Sequence, residues 1–381
     1  MVRDFIVEPE GHMRHPKRFS NSIIMSLVYG SRTPNIKTVH MQRLYTVMEE
    51  WSKVMEPGNT PPVDVFPFLK WVPEQLLGNW RSRAQSVSTE MNKLYDQWLQ
   101  HVIDRRKASG SMDCFLDRVL DQEEKVGLDR HAQYFLCGTL MEGGSDTTSS
   151  IIIAFVHAMT KYPEVLKKAQ EQIDSVVGED RSPNWDDYAN LPYIAACVKE
   201  TMRWRPVVPL AFPHNLAEDD ELDGMFLPKG SDVFVNAFGM QHDEERFANP
   251  DEFDPDHYKG VTALAPELAS GDPEKRDHWG YGAGRRICPG IHLAERNLFL
   301  GIAKLLWALD IQPGVDIKGN VIEPDTSNER AYSAGFLVCA EPYPCRIRPR
   351  SEARKATIMR EFELATSEVF SQYETPEDQR Y

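Results

Sequence analysis

The chain lacks any CxxC pair: its six cysteines stand apart at positions 114, 137, 197, 288, 339 and 345. Thiols scattered through 381 residues read as reduced and intracellular, which excludes a disulfide framework. Positive charge is also scarce. The 43 Lys+Arg face 58 Asp+Glu, a net charge of −15 that excludes a general nucleic-acid binder. Long apolar runs are missing, since the longest, from Leu298 to Leu309, is broken by Lys304 and falls short of the roughly eighteen residues of a membrane span. The opening stretch, MVRDFIVEPEGHMRHPKR, has no apolar centre and does not read as a signal peptide. No repeat and no low-complexity tract is present. What remains is a globular balance, 41% hydrophobic and 27% charged, which excludes a disordered tail or a collagen-like fibre. The length is enough for a sizeable core and carries a prior of two to three domains.

The first third reads as helix. Pro16 suits a first turn, and Phe19, Ile23, Leu27 and Val28 follow at helical spacing until Gly30. Further helices are expected over 38–54 and 79–107, the latter with Leu94, Trp98, Val102 and Ile103 inward. Between them, prolines at 57, 61, 62, 67 and 73 mark an ordered connection whose aromatics pack down. Its Trp71, Val72, Leu76 and Leu77 read as core, with peripheral membrane contact as the alternative. The longest helical pattern covers 129–162, about 50 Å at about 1.5 Å per residue, and Tyr162-Pro163 stops it. A helix over 192–204 ends at Arg205-Pro206. Residues 207–235 look β-like and turn-rich, and a Gly-rich loop precedes a strong helix over 291–309. Short strands are expected near 336–339 and 345–347. In the tail, about 351–381, Ile358, Phe362, Ala365 and Val369 form a helical face that can dock. The fold class is mainly α with a small β part.

Residues 281–290 read Tyr-Gly-Ala-Gly-Arg-Arg-Ile-Cys-Pro-Gly. Gly282, Gly284 and Gly290 let backbone turn tightly and approach a flat ligand. Arg285 and Arg286 can pair with carboxylates. Cys288 stands just before a helix, where the dipole and free N–H groups favour a thiolate. With no second Cys or His at ligand spacing, zinc is disfavoured and a single axial thiolate to haem iron suits the loop. The alternative is a Gly-rich turn around a buried Cys.

Two other patterns stand out. Glu200 and Arg203 share one helix face at i, i+3, which alone would be an ordinary surface ion pair. Residues 143–148 read Gly-Gly-Ser-Asp-Thr-Thr inside the longest helix. Two mid-helix glycines cost about 1 kcal/mol each, so they point to a close ligand, a local distortion or tight helix packing. Thr147 can bond the Gly143 carbonyl and open the helix groove, and an acid beside a hydroxyl can relay protons through water. Lys275, Arg276, Arg285 and Arg286 form a basic cluster before the Cys, suited to an acidic electron donor or to a solvated loop.

The loop at 281–290 resembles the haem-binding signature of cytochrome P450s, Phe-Gly-x-Gly-x-Arg-x-Cys-x-Gly, with Tyr281 for the Phe. Glu200-Thr-Met-Arg203 resembles the family's Glu-x-x-Arg, and Phe253-Asp-Pro-Asp-His257-Tyr258 its Pro-Glu-Arg-Phe segment, with His257 at the Arg position. The 143–148 segment resembles its Ala/Gly-Gly-x-Asp/Glu-Thr-Thr. The resemblance implies a P450 fold with haem b ligated by Cys288 through iron. It implies Arg286 and His214 at the propionates, Tyr281 beside the thiolate, and Asp146 and Thr147 in proton delivery. It further implies that Glu200, Arg203 and His257 form a buried brace, weakened or made pH-sensitive by the His.

Arg18-Phe-Ser-Asn-Ser-Ile-Ile, Leu27-Val-Tyr-Gly30 and Asp64-Val-Phe-Pro67 resemble mid-chain segments of the fungal branch that includes O-methylsterigmatocystin oxidoreductase. In the family these follow a long N-terminal part, so residues 1–381 are expected to be one incomplete, N-terminally truncated P450 domain. The resemblance implies a monooxygenase that hydroxylates a small lipophilic, secondary-metabolite-like substrate with O2. Electrons would come from NADPH through cytochrome P450 reductase. A truncated, non-catalytic haem-binding remnant or incomplete gene product is the alternative. Without a transmembrane segment, the expected location is intracellular, cytosolic or peripheral at the cytosolic face of the endoplasmic reticulum.

Overall fold

Proline and glycine punctuate the helices where backbone chemistry allows them. The computed structural model describes residues 1–56 and 58–375. Pro16 sits in the first turn of the His15–Tyr29 helix, where its missing N–H has no intrahelical partner to lose, and Gly30 ends the helix at φ 73°. Pro163 and Pro192 open the Pro163–Val176 and Pro192–Trp204 helices in the same way. The chain forms two compact units, one of Met1–Ile153, Ala334–Phe336 and the chain from Ile347 on, the other of Ala154–Ser333 and Leu337–Arg346. The division falls within the 32-residue Arg130–Lys161 helix.

In the first unit the Val39–Met55 and Trp80–Ser109 helices pack along each other. Leu94, Tyr95, Trp98, Leu99 and Val102 are buried, and the Trp98 ring meets Tyr29 at 5.2 Å and His40 at 5.0 Å. Buried Arg105 donates to the Tyr29 carbonyl and pairs with Asp117 at 2.8 Å, so a cation satisfies the C-terminus of the His15–Tyr29 helix. The tail forms the Glu352–Glu368 helix and then returns along the same helix end. The Arg32 N–H donates to the Glu374 carbonyl at 2.9 Å and the Glu374 N–H to the Gly30 carbonyl at 3.0 Å. The Glu374 carboxylate lies 3.0 Å from His101 Nε2 and 3.6 Å from Arg105, while the Arg32 guanidinium covers the Phe370 ring at 3.6 Å.

The connection before the Trp80–Ser109 helix departs from expectation. Pro67–Trp71 and Glu74–Leu77 are short 3-10 turns, and the aromatics do not pack down. Trp71 is 86% and Leu76 76% exposed, Phe66 and Phe68 lie largely in solvent, and the apolar Leu69, Val72 and Leu77 are half-buried. Turns of four or five residues interrupted by proline present no continuous face to a core. No helix among the described residues is long and apolar enough to cross a membrane.

The second unit packs Pro163–Val176 and Pro192–Trp204 against Ile291–Ala308, whose Leu298, Phe299, Ile302, Leu305 and Leu306 are buried. The β-like region forms two small antiparallel pairs. Asp220–Leu222 pairs with Met225–Leu227 around Asp223-Gly224, both at positive φ as a tight hairpin turn requires. His214–Asn215 pairs with Asp232–Val233, placing His214 opposite Val233. A Leu309–Pro313 strand follows the last core helix, and Arg346, on the Cys345–Pro349 strand, donates to the Pro313 carbonyl at 3.1 Å. The strand expected at 336–339 does not form. The Ser333 N–H bonds the Cys339 carbonyl at 2.9 Å and closes the segment as a loop, using groups a ladder would need.

The tail contact leads to an expected outcome. Glu374→Ala costs up to about 1 kcal/mol, because its carboxylate is partly solvated. Truncation before Phe370 costs more, because it also removes the backbone bonds and the Arg32 stacking. Urea unfolding of the two variants checks the order.

Candidate active site

Cys288 lies between a 3-10 turn, Gly284–Arg286, and the Ile291–Ala308 helix. Its N–H donates to the Tyr281 carbonyl at 2.9 Å, and its carbonyl accepts from Ile291 at 3.3 Å, so the loop folds back on itself. Gly282 and Gly284 hold φ of +72° and +63°, where a side chain would be strained, and a Cβ built at either meets nothing within 4 Å. The loop is therefore open along its glycine face. The half-buried Cys288 thiol is pushed up by burial, and the Gly290 backbone N–H pulls it back. No three His, Cys, Asp or Glu among the described residues gather into a metal cage. A single thiol at a helix start, beside an open glycine face, fits haem bound through one axial sulfur.

The other loop residues are placed as follows. Tyr281 is buried, burial pushes its phenol well up, and its ring lies 5.2 Å from His278. Arg285 and Arg286 are exposed, and Arg286 makes no ion pair or hydrogen bond among the described residues. His214 is exposed on its short strand. Arg276 departs from the basic-cluster expectation: it is 6% exposed, donates to the carbonyls of His278 and Gly282, and lies 4.3 Å from the Trp279 ring. It ties the loop rather than facing solvent. In the sequence it looks like part of a solvated charge run, and no local signal sets it apart.

The Pro192–Trp204 helix carries a buried charge whose donors are all met. Arg203 is fully buried, and five acceptors meet its five N–H groups. Its Nε and one terminal nitrogen each bond a Glu200 oxygen at 2.7 Å. The remaining donors reach the carbonyls of Gln241 at 2.9 Å, Pro250 at 2.8 Å and Glu252 at 3.0 Å. Glu200 also accepts the Asp254 N–H at 2.9 Å and faces His257 Nδ1 at 3.3 Å, while His257 Nε2 lies 2.9 Å from the Ala248 carbonyl. The hydrogen bond with Glu200 raises the His257 pKa, against burial and Arg203. Sequence reasoning missed Gln241, which is buried, donates to the carbonyls of Met202 and Arg203, and accepts the Trp279 N–H at 2.6 Å.

In the first unit, Thr147 donates to the Gly143 carbonyl at 2.6 Å. A Cβ at Gly143 meets nothing within 4 Å, whereas one at Gly144 falls 2.7 Å from Ile24 Cγ1. The two glycines thus divide the alternatives: Gly144 serves close helix packing, and Gly143 faces open space. Ser20 and Tyr45 both donate to the Ser145 carbonyl, at 2.7 and 3.1 Å, so side chains engage this stretch of the helix ladder. Asp146 is half-buried. Burial pushes its carboxyl up, and Lys17 pulls it down.

Comparison with known proteins shows the family. The family model described as cytochrome P450 matches residues 13–328. Cytochrome P450 monooxygenase yanC of Aspergillus niger is 53% identical across 99% of this chain and 71% of its own length. Cytochrome P450 monooxygenase macC of Penicillium terrestre is 52% identical over the same shares, and patH of Aspergillus clavatus 52% over 98% and 70%. A zebrafish cytochrome P450 structure with abiraterone superposes at TM-score 0.66 and 21% identity, covering 88% of this chain and 71% of that one. The family match and these relatives define the class, that of haem-thiolate proteins. The chain belongs to the cytochrome P450 family, and it is an oxidoreductase of the monooxygenase type.

Two outcomes follow. Gly143→Ala gains up to about 1 kcal/mol of helix propensity, whereas Gly144→Ala loses stability because Ile24 must shift; thermal unfolding separates them. His257, with a pKa raised above 6.5, contributes its full stabilisation below that value and loses it as pH rises through the raised pKa. The stability of His257→Arg relative to wild type therefore increases from about pH 6 to about pH 8. A difference that stays flat with pH would show that the His257–Glu200 contact does not titrate.

Proposed function

We propose that this P450 hydroxylates a small lipophilic, secondary-metabolite-like molecule, using O2 and electrons passed from NADPH by cytochrome P450 reductase. The observation that carries this reading is Cys288, a lone half-buried thiol at a helix start beside an open glycine face. When bound, haem supplies the oxygen chemistry, with the thiolate pushing electron density that favours O–O cleavage. Cys288 would hold the iron through its sulfur, and the Gly290 N–H tempers its charge. Arg286, whose guanidinium is exposed and without a polar partner among the described residues, anchors a propionate together with His214. Tyr281 limits water beside the sulfur.

Asp146, a half-buried carboxyl that burial pushes up, holds and passes a proton. Thr147 orients the relay from a hydroxyl fixed on Gly143. Glu200, Arg203 and His257 keep the surrounding backbone in place. The electron donor meets Lys275, Arg285 and Arg286, all exposed. The protein works inside the cell, in the cytosol or at the cytosolic face of the endoplasmic reticulum, where exposed Trp71 and Leu76 supply an apolar contact.

The reduced CO-difference spectrum of the purified protein tests this reading. A thiolate-type Soret band is expected in the wild type and absent in Cys288→Ser. Asp146→Asn is expected to retain the band and slow product formation by about 10²-fold. Failure of the wild type to hold haem when haem is supplied would overturn the reading.

A further inference from the structure

The Pro192–Trp204 helix carries a second charged link that the Glu200–Arg203 brace does not include. Lys199 precedes Glu200 and is 2% exposed, although lysine is almost never buried without a partner. Its ammonium lies 2.7 Å from an Asp277 oxygen and 3.9 Å from Glu295. Both acids are buried as well. Asp277 stands four residues before Tyr281, whose carbonyl accepts the Cys288 N–H. Glu295 lies on the helix that leaves the Cys288 loop and accepts the Ala265 N–H at 2.8 Å. One cation therefore holds the chain on both sides of the loop.

Other bonds make the link stiff. The remaining Asp277 oxygen accepts the His278 N–H at 2.9 Å, and the Asp277 carbonyl takes the Tyr258 hydroxyl at 2.6 Å. Arg276 carries the connection onward to the carbonyls of His278 and Gly282. By contrast, the polar contacts of Glu200, Arg203 and His257 end on Gln241, Ala248, Pro250, Glu252 and Asp254, outside the loop. A buried ion pair gives little net stability, because desolvation offsets most of its attraction. Its placement at both ends of the thiol loop points to geometry.

We propose that Lys199 and Asp277, with Glu295, are positioning residues that lock the Cys288 loop in the shape that presents its sulfur to haem, separately from the Glu200–Arg203–His257 brace. This inference rests on the haem-thiolate reading of Cys288, and its test has one arm that does not need haem.

The decisive variant is Lys199→Met with Asp277→Asn, which removes the charge pair while the amide oxygen still accepts the His278 N–H, and burial already raises the Glu295 carboxyl so that it can take up a proton; it is therefore expected to fold. In haem-free protein, alkylation of Cys288 by iodoacetamide, with Cys288→Ser marking the site, should accelerate about tenfold as the loop loosens. In haem-loaded protein, the thiolate Soret band should give way to the protonated-thiol form, while Lys199→Arg, which keeps the charge pair, retains the thiolate form. An unchanged alkylation rate overturns the lock. So does a double variant that fails to fold, because the pair would then be a general stability element. A wild type that shows the faster alkylation in the double variant but no thiolate band would overturn the ligand reading and leave the lock standing.

Discussion

Arg203 is the constraint on which the second unit depends. A guanidinium removed from water must find an acceptor for every N–H, since each unmet donor costs on the order of 1–3 kcal/mol or more for a charged group. The chain meets this demand with Glu200, three residues earlier on the same helix, and with carbonyls from Gln241, Pro250 and Glu252. The Gln241 carbonyl ends the short Ala237–Gln241 helix, and those of Pro250 and Glu252 belong to a turn and a bend. Buried Arg203 therefore defines where that backbone runs. Breaking one side of the pair would leave a buried charge without compensation, a larger loss than the net worth of the pair itself.

Two links run from the same helix to the thiol loop, one neutral and one charged. Gln241 reads the end of the Pro192–Trp204 helix through the carbonyls of Met202 and Arg203, and passes that position to Trp279. Met202 Cε lies 2.7 Å from where a Cβ on Gly280 would be, so the loop runs close against the Met202 side chain. Lys199 reaches Asp277 on the other side. The helix and the loop are thus joined by the Lys199 side chain, one residue before Glu200, and by the Gln241 side chain at the Met202 and Arg203 carbonyls.

Much of the architecture was legible in local chemistry. Proline at first turns and glycine at helix ends gave the helix bounds within a residue or two, because these residues restrict φ regardless of tertiary context. The spacing of Glu200 and Arg203 and the bond from Thr147 to Gly143 were legible because both are set by helix geometry. Burial was not. Arg276 and exposed Lys275 are adjacent in sequence and alike in charge, and only the arrival of the His278 and Gly282 carbonyls separates them. The aromatics at 66–71 have the composition of a core and the backbone of a surface, since proline-broken turns cannot align them. The roles of the site residues were read from the family resemblance and remain the proposal made above.

The two glycines at 143 and 144 show why composition alone could not choose between packing and a ligand. Adjacent residues on a helix point about 100° apart, so two identical residues sample different surroundings. Gly144 faces Ile24, where even one methyl group would be too close, and its cost in helix propensity is offset by the helix contact it permits. Gly143 has no such contact to justify it. Alanine there would stabilise the helix, and Thr147 already uses the Gly143 carbonyl. A residue that lowers stability with no packing return, beside a hydroxyl and a carboxyl raised by burial, supports the proton relay proposed for that face.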